Sequence, residues 1–331
     1  MEAAARQWFD SRTFDAERFS TADLSELKRQ SGRTVSVVIP ARNEAATVAD
    51  VVTQIRTTLV VAGLVDELIV LDSDSTDGTA EVARAAGADV FAAREIDTGT
   101  PASPGKGEAL WKSLFVSTGD LLVFIDADLT EWGPHFVTGL LGPLLTDPGI
   151  LLVKGFYDRL ADDLPPTPGA DVPPAAPQGG RVTELVARPL LNLYWPELAA
   201  VVQPLAGEWA ARRSLMEALP VPVGYGVEFA TLTDTWHRHG LPAIAQVDLG
   251  RRGHRHQNVH DLGVMAAEIL ATATRRLPWH APDEPPAAGG PLSLQQYDRE
   301  VRDWRSRPVP VAERPPAATN AHYRTAPRCS N

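Results

Sequence analysis

Three features of the 331-residue sequence predict an α/β fold of parallel strands joined by helical crossovers. Short apolar runs alternate with helix-period segments through the first third of the chain. Aspartates stand where two of those runs end. Apolar residues make up 44% of the chain, enough for a sizeable core.

In chain order, TVSVVIP (34–40) reads as a buried strand and EAATVADVVTQIRTTLV (44–60) as an amphipathic helix. DELIVLD (66–72) is a second strand, and DGTAEVARAAG (77–87) a helix stopped by Gly87. ADVFAA (88–93), KGEALWKSLFVST (106–118) and DLLVFID (120–126) follow as strand, helix and strand, with a further strand at ILLVKGFY (150–157). The segment 158–180 is rich in proline and glycine, so it is expected as a surface loop or a mobile lid. Helical patterns resume at 181–198, 227–240 and 262–277, with a strand near 243–250. The division expected is a helical extension (1–30), a first half (31–150), a second half (151–280) and a peripheral Pro/Ala-rich tail (281–331) with room for one short helix at 292–304.

Composition narrows the function. Lys and Arg number 31 against 42 Asp and Glu, a net charge of −11, which argues against nucleic acid or an anionic membrane as partner. A single cysteine, Cys329, excludes an intrachain disulfide framework and Cys-based zinc. No apolar run reaches membrane-spanning length and the N-terminus lacks a signal-peptide core, so a cytoplasmic protein is expected. G-x-G-x-x-G after the first strand, G-x-x-x-x-G-K-[ST] and G-x-S-x-G are all missing, which removes dinucleotide, P-loop and α/β-hydrolase readings.

Chemistry-bearing residues cluster at strand ends. Asp72, Asp74 and Asp77 follow the second strand, and Asp126 and Asp128 follow the fourth, so both groups are expected to face one crevice. The D-x-D pair could hold a hard divalent cation, or simply build a turn. Lys106, flanked by Gly105 and Gly107 at a helix start, is an anion-binding candidate. Arg181 and Thr183 in GGRVTE form a second. The basic stretch 250–260 contains Arg252, His254 and His256, and His254 could complete a metal shell. Glu228 beside Tyr225 in GYGVEF could contact a sugar, serve as acid or base, or cap a helix.

VVIPARNEAATV, DSDSTDGT, PGKGEALWKSL and FIDADL together resemble the nucleotide-sugar domain of GT-A glycosyltransferases. VKGFYDR, GGRVTELVARPLLNLYWPEL, AGEWAARR, GYGVEF and DLGRRGHR resemble the glucosyl-3-phosphoglycerate synthases of glycosyltransferase family 81; the likeness spans roughly 30–275. It implies a GT-A fold with a mixed, mainly parallel sheet and a second half that binds the acceptor. It also implies a retaining, Mg²⁺- or Mn²⁺-dependent homodimer that moves glucose from UDP-glucose to 3-phosphoglycerate. Pro40, Ala41, Arg42, Asn43, Glu44, Ser73, Lys106, Asp126, Ala127 and Leu205 would then bind the donor, and Asp128 and His254 the metal. Gly180, Arg181, Thr183, Tyr225, Arg252 and His256 would bind the acceptor, with Glu228, Asp128 and Lys106 at the reacting centre.

Departures from the family pattern are Arg255-His256 in place of Arg-Asn, Ala206-Gly207-Glu208-Trp209 in place of Gly-Gly-Glu-Tyr, and the proline-rich insertion. They leave room for another phosphorylated or carboxylated acceptor, or a GDP-sugar donor. A silent sugar-nucleotide binder and a nucleotidyltransferase are the rivals from other classes. The complete set of charged residues speaks against the first, and PARNEAAT in place of a Gly-rich, Arg-containing loop against the second.

Overall fold

The computed structural model describes residues 3–160, 180–253, 258–277, 292–298 and 302–325. The expected loop 158–180 falls almost wholly outside them, as do His254 and His256. An eight-stranded sheet organises the chain. Its strands are β1 (Thr13–Asp15), β2 (Val35–Ala41), β3 (Glu67–Asp72), β4 (Asp89–Ala92), β5 (Leu121–Phe124), β6 (Leu152–Leu160), β7 (Trp209–Arg212) and, after the short β8 (Val221–Pro222) outside the sheet, β9 (Ile244–Gly253). The spatial order is β1-β9-β6-β7-β5-β2-β3-β4. Only β7 runs antiparallel to its neighbours, β5 and β6, so the sheet is mixed and mainly parallel.

Side-chain alternation splits the strands between two apolar layers. In β2, Val37 and Ile39 enter one layer and Val38 the other; in β5, Leu121 and Val123 oppose Leu122 and Phe124. Helices α1 (Ala3–Arg12) and α2 (Thr21–Ser31) precede β2, and α3 (Val48–Ile55) and α4 (Thr79–Ala86) flank β3. Next come α5 (Lys106–Val116), α6 (His135–Thr146), α7 (Arg188–Tyr194), α8 (Arg213–Ala218), α9 (Val227–His239) and α10 (Val259–Arg275). Val48, Val51, Val52 and Ile55 of α3 share one fully buried face, each stabilising the fold by roughly 1.5–3 kcal/mol. That helix begins later than its apolar pattern suggests because Glu44–Thr47 is a turn closed by the Thr47 N–H on the Glu44 carbonyl. Gly87 ends α4 as expected, at a left-handed φ of 98°.

Three elements depart from the expectations. The described residues of 292–304 are not helical: β10 (Ser293–Asp298) pairs antiparallel with β11 (Asp303–Pro308), and half-buried residues alternate with exposed ones along β10, a period of two. The tail is not peripheral: β12 (Glu313–Arg314) pairs with β8, and Val309, Ala317 and Tyr323 are buried. Helix α6, HFVTGLLGPLLT, carries two glycines and an internal Pro143, which hide it from propensity; near-complete burial holds it instead. The N-terminal extension is helical as expected and adds one strand, β1, to the sheet edge.

Candidate active site

Sheet register assembles the first part of the site. Ala41 pairs with Asp72 across β2–β3, and Val38 with Phe124 across β2–β5, so Arg42, Ser73 and Asp126 emerge side by side at the carboxyl ends of parallel strands. A cavity of ≈ 360 Å³ opens there. Its lining includes Pro40, Ala41, Arg42, Glu44 and Ser73 together with Lys106, Asp126, Ala127, Asp128 and Tyr225. Asn43 is not in the lining. It adopts a left-handed φ of 59° and ties two loops together: its N–H donates to Ser75 Oγ at 2.9 Å and its Oδ1 accepts from the Thr76 N–H at 2.9 Å.

The charged centre is a linked set of ion pairs. Lys106 Nζ lies 2.7 Å from Asp126 Oδ1 and 2.9 Å from Glu228 Oε1. Burial works against this ammonium, but Asp126 and Glu228 outweigh it and hold its pKa well above the ordinary lysine range. Arg252 Nη2 reaches Asp128 Oδ1 at 2.8 Å and Asp126 Oδ2 at 3.3 Å. Its Nη1 donates to Tyr157 Oη at 2.7 Å and sits 3.2 Å from Glu208 Oε1. Burial opposes the Arg252 charge, and Glu208, Tyr157, Asp126 and Asp128 more than restore it. Gly207 makes the approach possible, since a Cβ there would lie 2.1 Å from Asp126 Oδ2.

Two further ionisable groups adjoin this centre. Lys154 is buried, donates to the Ala206 carbonyl at 2.8 Å, and is pushed down to about 8, chiefly by burial. Glu268, on α10, lines the cavity and accepts from the Tyr225 N–H at 2.6 Å; burial pushes its carboxyl up to about 7, with Glu228 adding to the rise.

Several expectations change. Asp72, Asp74 and Asp77 do not join Asp126 and Asp128 in the cavity lining. Asp77 accepts from the Ala45 N–H at 3.1 Å and Asp74 pairs with Arg94 at 3.2 Å, so this cluster braces loops. Gly105 and Gly107 do not open the start of α5 to an anion: added Cβ atoms would lie 2.3 Å from the Val223 carbonyl oxygen and 1.8 Å from that of Pro222. The Gly107 and Glu108 N–H groups are already bonded to the Gly224 and Val223 carbonyls, so Lys106 offers its side chain alone. Glu228 makes no helix-cap bond with its side chain and is paired to Lys106. Leu205 packs half-buried against the core, outside the cavity lining. Gly180, Arg181 and Thr183 begin the segment leading into α7, away from that lining; Thr183 is buried and Arg181 exposed.

Glu208, Tyr157, Lys154, Glu268 and Pro310 escaped the sequence reading as site residues. The signals were a polar residue within an apolar strand, such as Lys154 in ILLVKGFY, and the place of Lys154, Tyr157 and Glu208 inside the family-like segments VKGFYDR and AGEWAARR.

The donor set suits a hard divalent cation. Asp126 and Asp128 present carboxylate oxygens, although Lys106 and Arg252 already pair with them and a cation would compete for those oxygens. Among the described residues no group of three His, Cys, Asp or Glu could hold a metal. Nor is any described helix long and apolar enough to cross a membrane.

A mixed, mainly parallel sheet with an aspartate pair, a charged lysine and a cavity at its strand ends is the arrangement of a GT-A-type glycosyltransferase. Residues 36–169 match the model of glycosyl transferase family 2. Glucosyl-3-phosphoglycerate synthase of Mycolicibacterium smegmatis is 45% identical over 315 residues, covering 95% of this chain and 98% of that one. The Mycobacterium tuberculosis synthase is 48% identical over 299 residues, 88% of each chain. A crystal structure of the M. tuberculosis enzyme in complex with Mn²⁺, UDP-glucose and phosphoglyceric acid matches with a TM-score of 0.77 at 45% identity, covering 90% of this chain and 94% of that one. The chain belongs to the glucosyl-3-phosphoglycerate synthase family.

Proposed function

We propose that this chain transfers glucose from UDP-glucose to 3-phosphoglycerate, with retention, using Mg²⁺ or Mn²⁺. The observation that carries this reading is the strand-end cavity in which Lys106, Asp126 and Asp128 meet. Pro40 to Glu44, Ser73, Ala127 and Leu205 are assigned to the donor, and Asp128 with His254 to the metal. Gly180, Arg181, Thr183, Tyr225, Arg252 and His256 are assigned to the acceptor. A homodimer in the cytoplasm is the assembly and place we expect.

The bond between glucose C1 and the β-phosphate oxygen breaks with its electron pair departing on UDP. When bound, the divalent cation supplies Lewis-acid stabilisation of that diphosphate. Lys106, kept charged by Asp126 and Glu228, adds a fixed positive charge beside the leaving group. The acceptor hydroxyl attacks C1 from the face the phosphate leaves and gives its proton to a leaving phosphate oxygen. Glu228 is nearly buried and paired at 2.9 Å, which favours a role in holding Lys106 over one as covalent nucleophile.

Proton NMR of the product tests this directly. An α-configured anomeric proton, formed only with UDP-glucose and 3-phosphoglycerate together, is expected. A β-configured product would overturn retention, and no product would overturn the transfer.

A further inference from the structure

The C-terminal segment contacts the loop that delivers Lys106 at several points. Arg314 of β12 makes a bidentate pair with Glu108, Nε to Oε2 at 2.6 Å and Nη2 to Oε1 at 2.9 Å, with both residues buried. The same guanidinium donates to the Pro101 carbonyl at 2.6 Å and to Thr100 Oγ1 at 3.2 Å, and lies over the Trp111 ring. Glu108 Oε1 accepts from the Ser103 N–H at 3.3 Å, and Asn320 Nδ2 donates to the Thr98 carbonyl at 3.0 Å. The chain 98–103 is thus held at Thr98, Thr100, Pro101 and Ser103, just before Lys106. On the other side Val223 donates to the Ala312 carbonyl at 3.0 Å, and Pro310 forms part of the cavity wall.

We infer that Arg314 is a positioning residue for donor binding: through Glu108 and the 98–103 loop it sets where the Lys106 ammonium meets the diphosphate of the sugar nucleotide. The chemistry requires this fit. A flexible lysine stabilises a leaving group only when its stem is fixed, and a displacement of about 1 Å in such a contact can cost roughly a hundredfold in rate. A bidentate arginine–carboxylate pair holds a backbone in both distance and angle, which a lysine at position 314 would not do. The inference rests on the reading of Lys106 as a donor contact.

Arg276 provides the control, because it anchors the same tail away from the loop. It pairs with Glu313 at 2.7 Å and bidentately with Asp234 at 2.8 Å, and none of its hydrogen bonds reaches the 98–105 loop. In the full-length enzyme, Arg314→Lys and Glu108→Gln are each expected to raise the KM and Kd for UDP-glucose about tenfold, with the 3-phosphoglycerate KM within about twofold of wild type. Arg276→Lys is expected to lower the melting temperature without moving the donor constants. Asn320→Ala removes one bond at the far end of the loop and should raise the donor Kd by a smaller factor, about twofold. It keeps the question open to test if the buried pair cannot be altered without unfolding.

Unchanged donor Kd in Arg314→Lys, or an equal rise in Arg276→Lys, overturns the inference and leaves Arg314 a plain staple. Lys106→Ala separates the two layers of the reading. If that variant binds UDP-glucose normally, the assignment of Lys106 itself fails; if it loses donor affinity while Arg314→Lys does not, only the positioning role fails.

Discussion

The two halves of the molecule reach the same cavity by different routes. In the first half most contributors sit at or just beyond the carboxyl end of a parallel strand, where hydrogen-bonded register makes them neighbours, Ala41 beside Asp72 and Val38 beside Phe124; Lys106, at the start of α5, is the exception. In the second half the contributors come from unlike places. Tyr225 lies in a turn before α9, Glu268 in mid-α10 and Pro310 in the tail. Where a sheet does the assembly, a local motif such as D-x-D marks the site directly. Where tertiary packing does it, the same chemistry leaves almost no local trace.

The sharpest way to break that contrast lies on the sheet side. Asp128→Ala is expected to reduce transfer by about a thousandfold or more with saturating Mn²⁺, since the leaving diphosphate loses its metal anchor. Near-normal turnover would show that the strand-end pair is a turn and nothing more. Gly207→Ala should come next. The new Cβ would meet Asp126 Oδ2 at 2.1 Å, pushing that carboxylate off Lys106 and lowering kcat/KM by roughly a hundredfold. A variant with wild-type kinetics would mean that the Asp126–Lys106 pair is dispensable.

On the packing-assembled side the effects are smaller. Arg181→Ala is expected to raise the 3-phosphoglycerate KM by about tenfold or more while leaving the UDP-glucose KM unchanged, as loss of one charge-assisted contact would. Equal changes in both constants would remove Arg181 from the acceptor site. The smallest effect concerns Glu268. Its carboxyl titrates at about 7 in the fold against an ordinary 4.5, so the folded state binds the proton more tightly. Its contribution to stability is present below pH 4.5 and fades as pH rises through about 7. Glu268→Gln should therefore flatten the fall in melting temperature between pH 5 and pH 8, read by thermal unfolding. An unaltered slope would show that the group does not titrate there.

Legibility in the sequence follows the same division. The strands and helices between 34 and 126 have period-two or period-3.6 patterns bounded by Gly, Pro or Asp, and they lie within a few residues of where those patterns put them. Their end-of-strand position also brought Pro40, Ser73, Asp126 and Asp128 to one cavity, which Lys106 enters from the start of α5. The three-aspartate cluster after β3 carried an equal signal but braces loops, because backbone N–H groups and Arg94 reach its carboxylates. Composition cannot tell an aspartate that faces solvent and ligand from one that closes a turn.

Other features were hidden for physical reasons. The strand β7 is WAAR, four residues with no β-branched side chain, and it forms because it fills the gap between β5 and β6. The tail is rich in proline and alanine, which suggested a peripheral segment. Its place is fixed by a buried ion pair spanning 206 residues of sequence, from Glu108 to Arg314. No local pattern announces a partner that distant.

The central claim is most directly tested by UDP release from the purified full-length protein with Mg²⁺ or Mn²⁺, crossing UDP-glucose, GDP-glucose and GDP-mannose against 3-phosphoglycerate and an acceptor-free control. Release that requires both UDP-glucose and 3-phosphoglycerate, and that stops when EDTA removes the metal, is the predicted result. Equal release with GDP-sugars, release independent of 3-phosphoglycerate, or turnover that survives metal removal would contradict it.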